Sequence, residues 1–249
     1  MRARTSPRRS LIAAGSLFLV GCGGTTPAPA GGPAQATSSS APPVASDHHA
    51  GHHHPEGIHH SFKDAAAWSK EFDDPARDAW QKPDEVVRLM AIASGMVVAD
   101  IGAGTGYFEG RLDRAVGDAG KVHALDVEPD MIAFMQTRGA RDGWKRVEPR
   151  LVAPDDPALA AATVHRVLVV DTWHHLGDRA AYAKKLAAAL APSGEVVVVD
   201  FTKEADKGPP PEFRLTPEQV IADLAAAGLD ARAVEESLPD QYVVVGTKR

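Results

Sequence analysis

From residue 62 onward, apolar positions switch repeatedly between helical spacing and short continuous runs. Phe62, Ala65, Trp68 and Phe72 recur at three- and four-residue intervals and predict a helix. Pro83 opens a second helical segment carrying Val86, Val87, Met90 and Ile92. Residues 95–101 form an apolar run bounded by glycines, as a buried parallel strand requires. A glycine-rich turn follows, then a helix with Phe108, Leu112 and Val116. Further strands are predicted at 121–127, 147–153, 166–171 and 195–201. Helices are predicted near 129–138 and over 179–190. Thr216, Pro217, Glu218 and Gln219 form a capping box that opens a helix to Ala227, closed by Gly228. Strands near 230–235 and 241–247 follow. This alternation predicts an α/β fold with a doubly wound, mostly parallel sheet, whose ligands sit at the carboxyl ends of the strands.

The first sixty residues read differently. Residues 2–9 are rich in arginine, and 11–20 are apolar but too short to span a bilayer comfortably. The run ends in Leu19-Val20-Gly21-Cys22, which resembles the bacterial lipobox, where the signal is cut before a cysteine that carries lipid. Gly23, in place of Asp, gives no resemblance to the inner-membrane retention signal. Arg8-Arg9-Ser10-Leu11-Ile12 loosely resembles a twin-arginine signal, from which Pro7 and Leu11 depart. Residues 23–47 are almost all Gly, Thr, Pro, Ala and Ser, a linker composition. The expected organisation is a lipoprotein signal peptide at 1–21, a flexible linker with a His-rich tract at 22–60, and a globular domain at 61–249. The expected location is the bacterial cell envelope, with membrane attachment at Cys22.

Composition narrows the chemistry. Cys22 is the single cysteine of the 249 residues, so disulfides within the chain, cysteine-based zinc sites and thiol nucleophiles in the domain are excluded. Net charge is −6, and removing residues 1–21, with four arginines and no acids, takes it to −10. That balance argues against a nucleic-acid partner. His48, His49, His52, His53, His54, His59 and His60 fall within thirteen residues, a density with affinity for Zn, Ni or Cu. The competing reading is a solvated tract without a fixed site.

The candidate cofactor site is the turn after the first strand. Gly102, Gly104 and Gly106 let the backbone bend sharply and approach a ligand, and the following helix aims free N–H groups at it. Asp126, 24 residues after Gly102, stands at the end of the second strand, where a carboxylate can accept two ribose hydroxyls. A dinucleotide would suit much of this, but its pattern needs a glycine where Tyr107 stands. Asp100 before the turn would also repel a pyrophosphate and attract the sulfonium and ammonium of S-adenosylmethionine.

The segment Ala99-Asp100-Ile101-Gly102-Ala103-Gly104-Thr105-Gly106-Tyr107-Phe108 resembles the first motif of the class I S-adenosylmethionine-dependent methyltransferases. Asp126-Val127-Glu128-Pro129-Asp130-Met131 resembles the second. Asp155 stands where that family often places an acid near the adenine amino group. Val170-Asp171-Thr172-Trp173-His174-His175-Leu176 resembles the fourth-strand motif. Leu190-Ala191-Pro192-Ser193-Gly194-Glu195 resembles the entry to strand five, with Ser193 for a glycine. The resemblance runs from about residue 75. It implies a Rossmann-like seven-stranded sheet with a C-terminal antiparallel hairpin, and a donor pocket that includes Ala103, Tyr107, Val127, Asp171 and Thr172. Residues 74–83 resemble an N-terminal cover over the donor.

Methyl transfer needs a base only when the acceptor carries a proton. His174 and His175 are the candidates, against a structural role in capping and packing. Trp173 and Tyr107 read as pocket wall, and the loop 203–214, with Phe213 and Arg214, as an acceptor contact or a plain connector. Two functions follow: a methyltransferase for a small-molecule acceptor, or a lipid-anchored metal-binding or envelope-interaction protein on a degenerate methyltransferase fold. The second draws on location, because the methyl donor is made in the cytoplasm.

Overall fold

The computed structural model describes residues 62–249. The His-rich tract, Cys22 and the signal segment therefore lie outside the described residues. Seven α-helices and seven strands alternate along the described residues. Three helices come first: α1 (Ala65–Phe72), α2 (Arg77–Gln81) and α3 (Pro83–Leu89). Then come β1 (Val97–Ile101), α4 (Glu109–Val116), β2 (Lys121–Asp126), α5 (Pro129–Asp142) and β3 (Val147–Leu151). After these follow β4 (Val164–Val170), α6 (Arg179–Ala189), β5 (Leu190–Phe201), α7 (Pro217–Ala226), β6 (Asp230–Val234) and β7 (Gln241–Thr247). The seven strands form one sheet in the order β3-β2-β1-β4-β5-β7-β6. The first five are parallel, and β7 runs antiparallel between β5 and β6. This is the expected Rossmann-like architecture with its closing antiparallel pair.

The two-residue period of the strands sorts side chains to opposite faces. Val167, Val169, Val196, Val198 and Val244 pack with Leu186 of α6 and Leu224 of α7 on one side. Leu168, Val197, Val199, Val243 and Val245 pack with Val86, Leu112 and Val116 of α3 and α4 on the other. Both faces are covered, so these strands read as runs of valine rather than as an alternation. The Thr216 capping box is present, with side-chain and backbone bonds to Gln219 in both directions.

Several boundaries differ from expectation, each for a local reason. Helix α2 is an extra element, only five residues long, between two left-handed or turn positions. Helix α5 continues past residue 138 because Gly139 leaves room for Trp144; a Cβ there would lie 2.9 Å from Trp144 Cε3. The helix ends at Gly143, whose φ of 76° suits a left-handed cap. Strand β5 begins at Leu190, not 195. Leu190 pairs with Val164, and the register then shifts before Glu195 meets Arg166. Ser193 takes φ 59° within that irregularity, the left-handed conformation that a glycine would hold without strain.

Candidate active site

A cavity of about 1170 Å³ opens at the carboxyl ends of β1 and β4. Asp100, Gly102, Ala103, Gly104, Tyr107, Val127, Asp171, Thr172, His174 and His175 line it together. Three other expected residues do not. Gly106 packs against Trp144 and Met135, where a Cβ would come within 2.7 Å of the Trp144 ring. Asp155 is exposed, beside the lining residue Pro154. Asp126 is buried beneath the turn: one oxygen accepts from Gly104 N (2.8 Å) and the other from Glu128 N (2.9 Å). The structure thus brings Asp126 to the turn as its brace, while Val127 and Glu128 form the cavity rim.

The turn itself is fixed by strand β2. Gly102 N and Ala103 N both donate to Leu125 O, at 2.8 and 3.0 Å. Residues 62–80 roof it. Phe62, Trp68 and Phe72 pack edge to face and stacked, with centroids 5.0 to 5.9 Å apart. Phe72 lies nearest Gly104. Asp73 ties the roof down by accepting from Thr105 Oγ1 (3.0 Å) and Arg138 Nη1 (2.6 Å). The segment 74–83, expected as a cover over the donor, lines the same cavity through Asp74, Ala76, Arg77 and Trp80.

The far end of the cavity is polar. Asp171 follows β4 with φ 52°, a conformation that an aspartate tolerates better than most residues. Its carboxylate meets Arg77 Nη2 at 3.4 Å and accepts from Gln241 Nε2. Gln241 in turn accepts from Gln81 (2.6 Å), which accepts from Arg77 (2.9 Å), and both glutamines are buried. Burial pushes the Asp171 carboxyl up to about 7 despite Arg77. His174 is also buried, with Nδ1 placed 2.8 and 3.0 Å from the two oxygens of Asp200 at the end of β5. Nδ1 donates to that carboxylate, which leaves Nε2 for a ligand. Burial opposes the imidazolium, but the bond and charge of Asp200, with the charge of Asp171, outweigh it and hold the His174 pKa above its usual value.

Asp200, Arg77, Gln81, Gln241 and the fully buried Glu109 are site residues that sequence reasoning missed. Three of its other assignments change. Trp173 is not pocket wall: it is fully buried in the core and donates from Nε1 to Asp223 (3.1 Å). Arg214 faces no ligand, because it donates to the carbonyls of Thr202, Lys203, Ala205, Lys207 and Pro209. It staples the loop whose residues 206–210 line the cavity. Phe213 is exposed outside the lining. Among the described residues, no group of three or more His, Cys, Asp or Glu is placed to hold a metal ion.

Residues 98–194 match the methyltransferase-domain family. A SAM-dependent methyltransferase from Aquifex aeolicus superposes with a TM-score of 0.70 at 29% identity, covering 75% of this chain and 99% of that one. Phosphoethanolamine N-methyltransferase 2 of Haemonchus contortus, solved with S-adenosyl-L-methionine, shares the fold at TM-score 0.55 and 14% identity, over 68% of this chain and 52% of its own. The [4+2]-cyclase SpnF also shares it, at TM-score 0.57 and 17% identity, over 68% of this chain and 80% of its own. The family match over residues 98–194 and these structural likenesses together support a SAM-dependent methyltransferase.

Proposed function

We propose that the protein transfers the methyl group of S-adenosylmethionine in line to a small-molecule acceptor. One observation carries this reading: a single cavity runs from the glycine turn to His174, whose ring is held by Asp200, so donor and acceptor share one chamber. The residues present fit the donor. Gly104 presents bare backbone, with the Phe72 ring 3.7 Å from where a Cβ would stand, and Asp100 offers an acid toward a cationic ligand. Phe62, Trp68 and Phe72 supply flat apolar surface above the turn. The bound donor supplies a methyl group on a positively charged sulfur, already a good leaving group. The chain's own work is to align and to exclude water. His174 Nε2 takes the acceptor's proton, and Asp200 orients the ring and stabilises the imidazolium that forms. His175, next to Phe62 at 5.8 Å between rings, forms chamber wall on the roof side.

Calorimetric titration of the whole protein with S-adenosylmethionine tests this. Micromolar-range binding is expected, and Asp100→Ala should lose it or weaken it severely. Absence of binding to the wild type would overturn the reading. SpnF shows that this fold serves chemistry other than methyl transfer, so turnover has to be assayed as well as binding. For location, we propose lipid attachment at Cys22 in the cell envelope, on the strength of Leu19-Val20-Gly21-Cys22. Processing that globomycin does not block would refute it.

A further inference from the structure

Behind the glycine turn lies a buried acid that the reaction does not use. Glu109 opens α4 and is wholly buried, and beyond its own backbone N–H no donor from another residue reaches its oxygens, which face the Asp100 carboxyl. An ionised carboxylate in that position would be among the costliest groups in a folded protein. Asp100 of β1, which is 4% exposed and lines the cavity, sits close enough for the two carboxyls to repel when both are charged.

The charged groups around the pair are Asp126 of β2, Arg77 of α2 and Arg138 of α5. Neither guanidinium bonds to it. Arg77 is spent on Phe72 O, Gln81 and Asp171, and Arg138 bonds to Asp73 and Thr105 O, with its Nε turned to Asp142 at 3.5 Å. Asp126 adds a third negative charge. Burial, reinforced at Asp100 by Glu109 and then Asp126, pushes both members of the pair up, Glu109 to about 7. Two such carboxyls titrate as a unit and cannot both stay ionised without a cation.

We propose that Asp100 and Glu109 hold one proton between them until a cationic donor enters the chamber, and that donor binding expels this proton to solvent. This inference rests on the proposed function. Glu109 is then a positioning residue that acts through Asp100. The pair also distinguishes donor from product by charge. S-adenosylmethionine carries a sulfonium, an ammonium and a carboxylate, one net positive charge. S-adenosylhomocysteine has lost the sulfonium and carries none. After transfer the pair faces a neutral product and takes its proton back, which weakens retention of the product.

Titration calorimetry of the whole protein near pH 7, in phosphate and in Tris, reads the proton directly. The observed heat for S-adenosylmethionine should differ between the buffers by the equivalent of roughly half to one proton, and for S-adenosylhomocysteine much less. Wild-type affinity for the donor should rise with pH, by up to about tenfold per unit below the pair's titration, and then level off. Glu109→Gln should abolish both the buffer dependence and the slope. Buffer-independent heat in the wild type, or undiminished proton release in Glu109→Gln, overturns the inference while leaving donor binding intact. Should Glu109→Gln fail to fold, the two wild-type measurements decide alone. No binding at any pH overturns the proposed function and this inference with it.

Discussion

The glycines of the turn are not equivalent, and the difference can be measured. Gly102 and Gly104 both sit at positive φ, 70° and 57°. Alanine at either position incurs the left-handed penalty, about 1–2 kcal/mol. Beyond that the sites part. A Cβ on Gly104 meets nothing closer than Phe72 Cδ2 at 3.7 Å, an ordinary contact. A Cβ on Gly102 would lie 2.4 Å from Thr172 Oγ1 and 2.6 Å from its Cγ2, so the loop after β4 must move. Overpacking of that kind costs about 1–3 kcal/mol more. Gly104→Ala should therefore lose about 1–2 kcal/mol of stability and Gly102→Ala about 2–5 kcal/mol. In urea, with a slope of about 2 kcal/mol per molar, the Gly102→Ala midpoint should fall about 0.5–1.5 M below that of Gly104→Ala. Thr172→Ala removes both clashing atoms, so a double-mutant cycle should return about 1–2 kcal/mol in the Gly102→Ala background. Equal midpoints for the two glycine variants, or a cycle without coupling, would refute the reasoning. Ligand binding should show the reverse order relative to stability. The Gly104 methyl projects between turn and roof, so that variant should stay folded yet bind S-adenosylmethionine poorly.

Other outcomes follow from the polar end of the chamber. Asp200→Asn removes the charge that keeps the His174 pKa raised, so the acidic limb of the methyl-transfer rate should move to lower pH and its plateau should drop. A histidine with a raised folded pKa contributes stability that is complete below about pH 6.5 and is lost as pH rises through the folded value. The stability gap between wild type and Asp200→Asn should therefore narrow from pH 6 to pH 9 in urea melts; a constant gap would show that Asp200 does not act through the imidazolium. Arg214→Met leaves five backbone carbonyls without their donor, and limited proteolysis should cut the 203–210 loop far sooner than in the wild type.

What the sequence revealed depended on whether a local demand had a single answer. A backbone that must turn at positive φ beside a neighbouring side chain admits glycine, so the motif around Gly102 was readable at once. The strands were readable because burial on both faces leaves continuous valine. Asp200 was invisible as a partner of His174, because many strands here end in an acid and only the pairing of β4 with β5 brings this one beside the imidazole. By its place in the sequence Glu109 is an ordinary first-turn acid, favourable at a helix N-terminus. Its burial comes from α4 packing on β1 and β2, which no local pattern encodes. Trp173 and Arg214 misled for the same reason. Each is a large side chain next to a predicted loop, and only tertiary packing decides that one fills the core and the other binds carbonyls.

Strand β7 comes last among the described strands yet lies inside the sheet, and it carries Gln241 into the network around Asp171. Gln81 and Gln241 stand 160 residues apart. At about 5–20 residues per second, a ribosome needs roughly 10–30 s to cover that distance. Late in that interval the glycine turn, β1 to β5 and the roof helices have all been made, but Gln81 and Asp171 still lack the partner that joins them. The Lys82 and Glu85 contacts to Ser237 are missing for nearly as long. A nascent or truncated chain without β7 would thus display the signature of the fold with its chamber unsealed. Such a pocket completes itself only once β7 has been made and paired with β5.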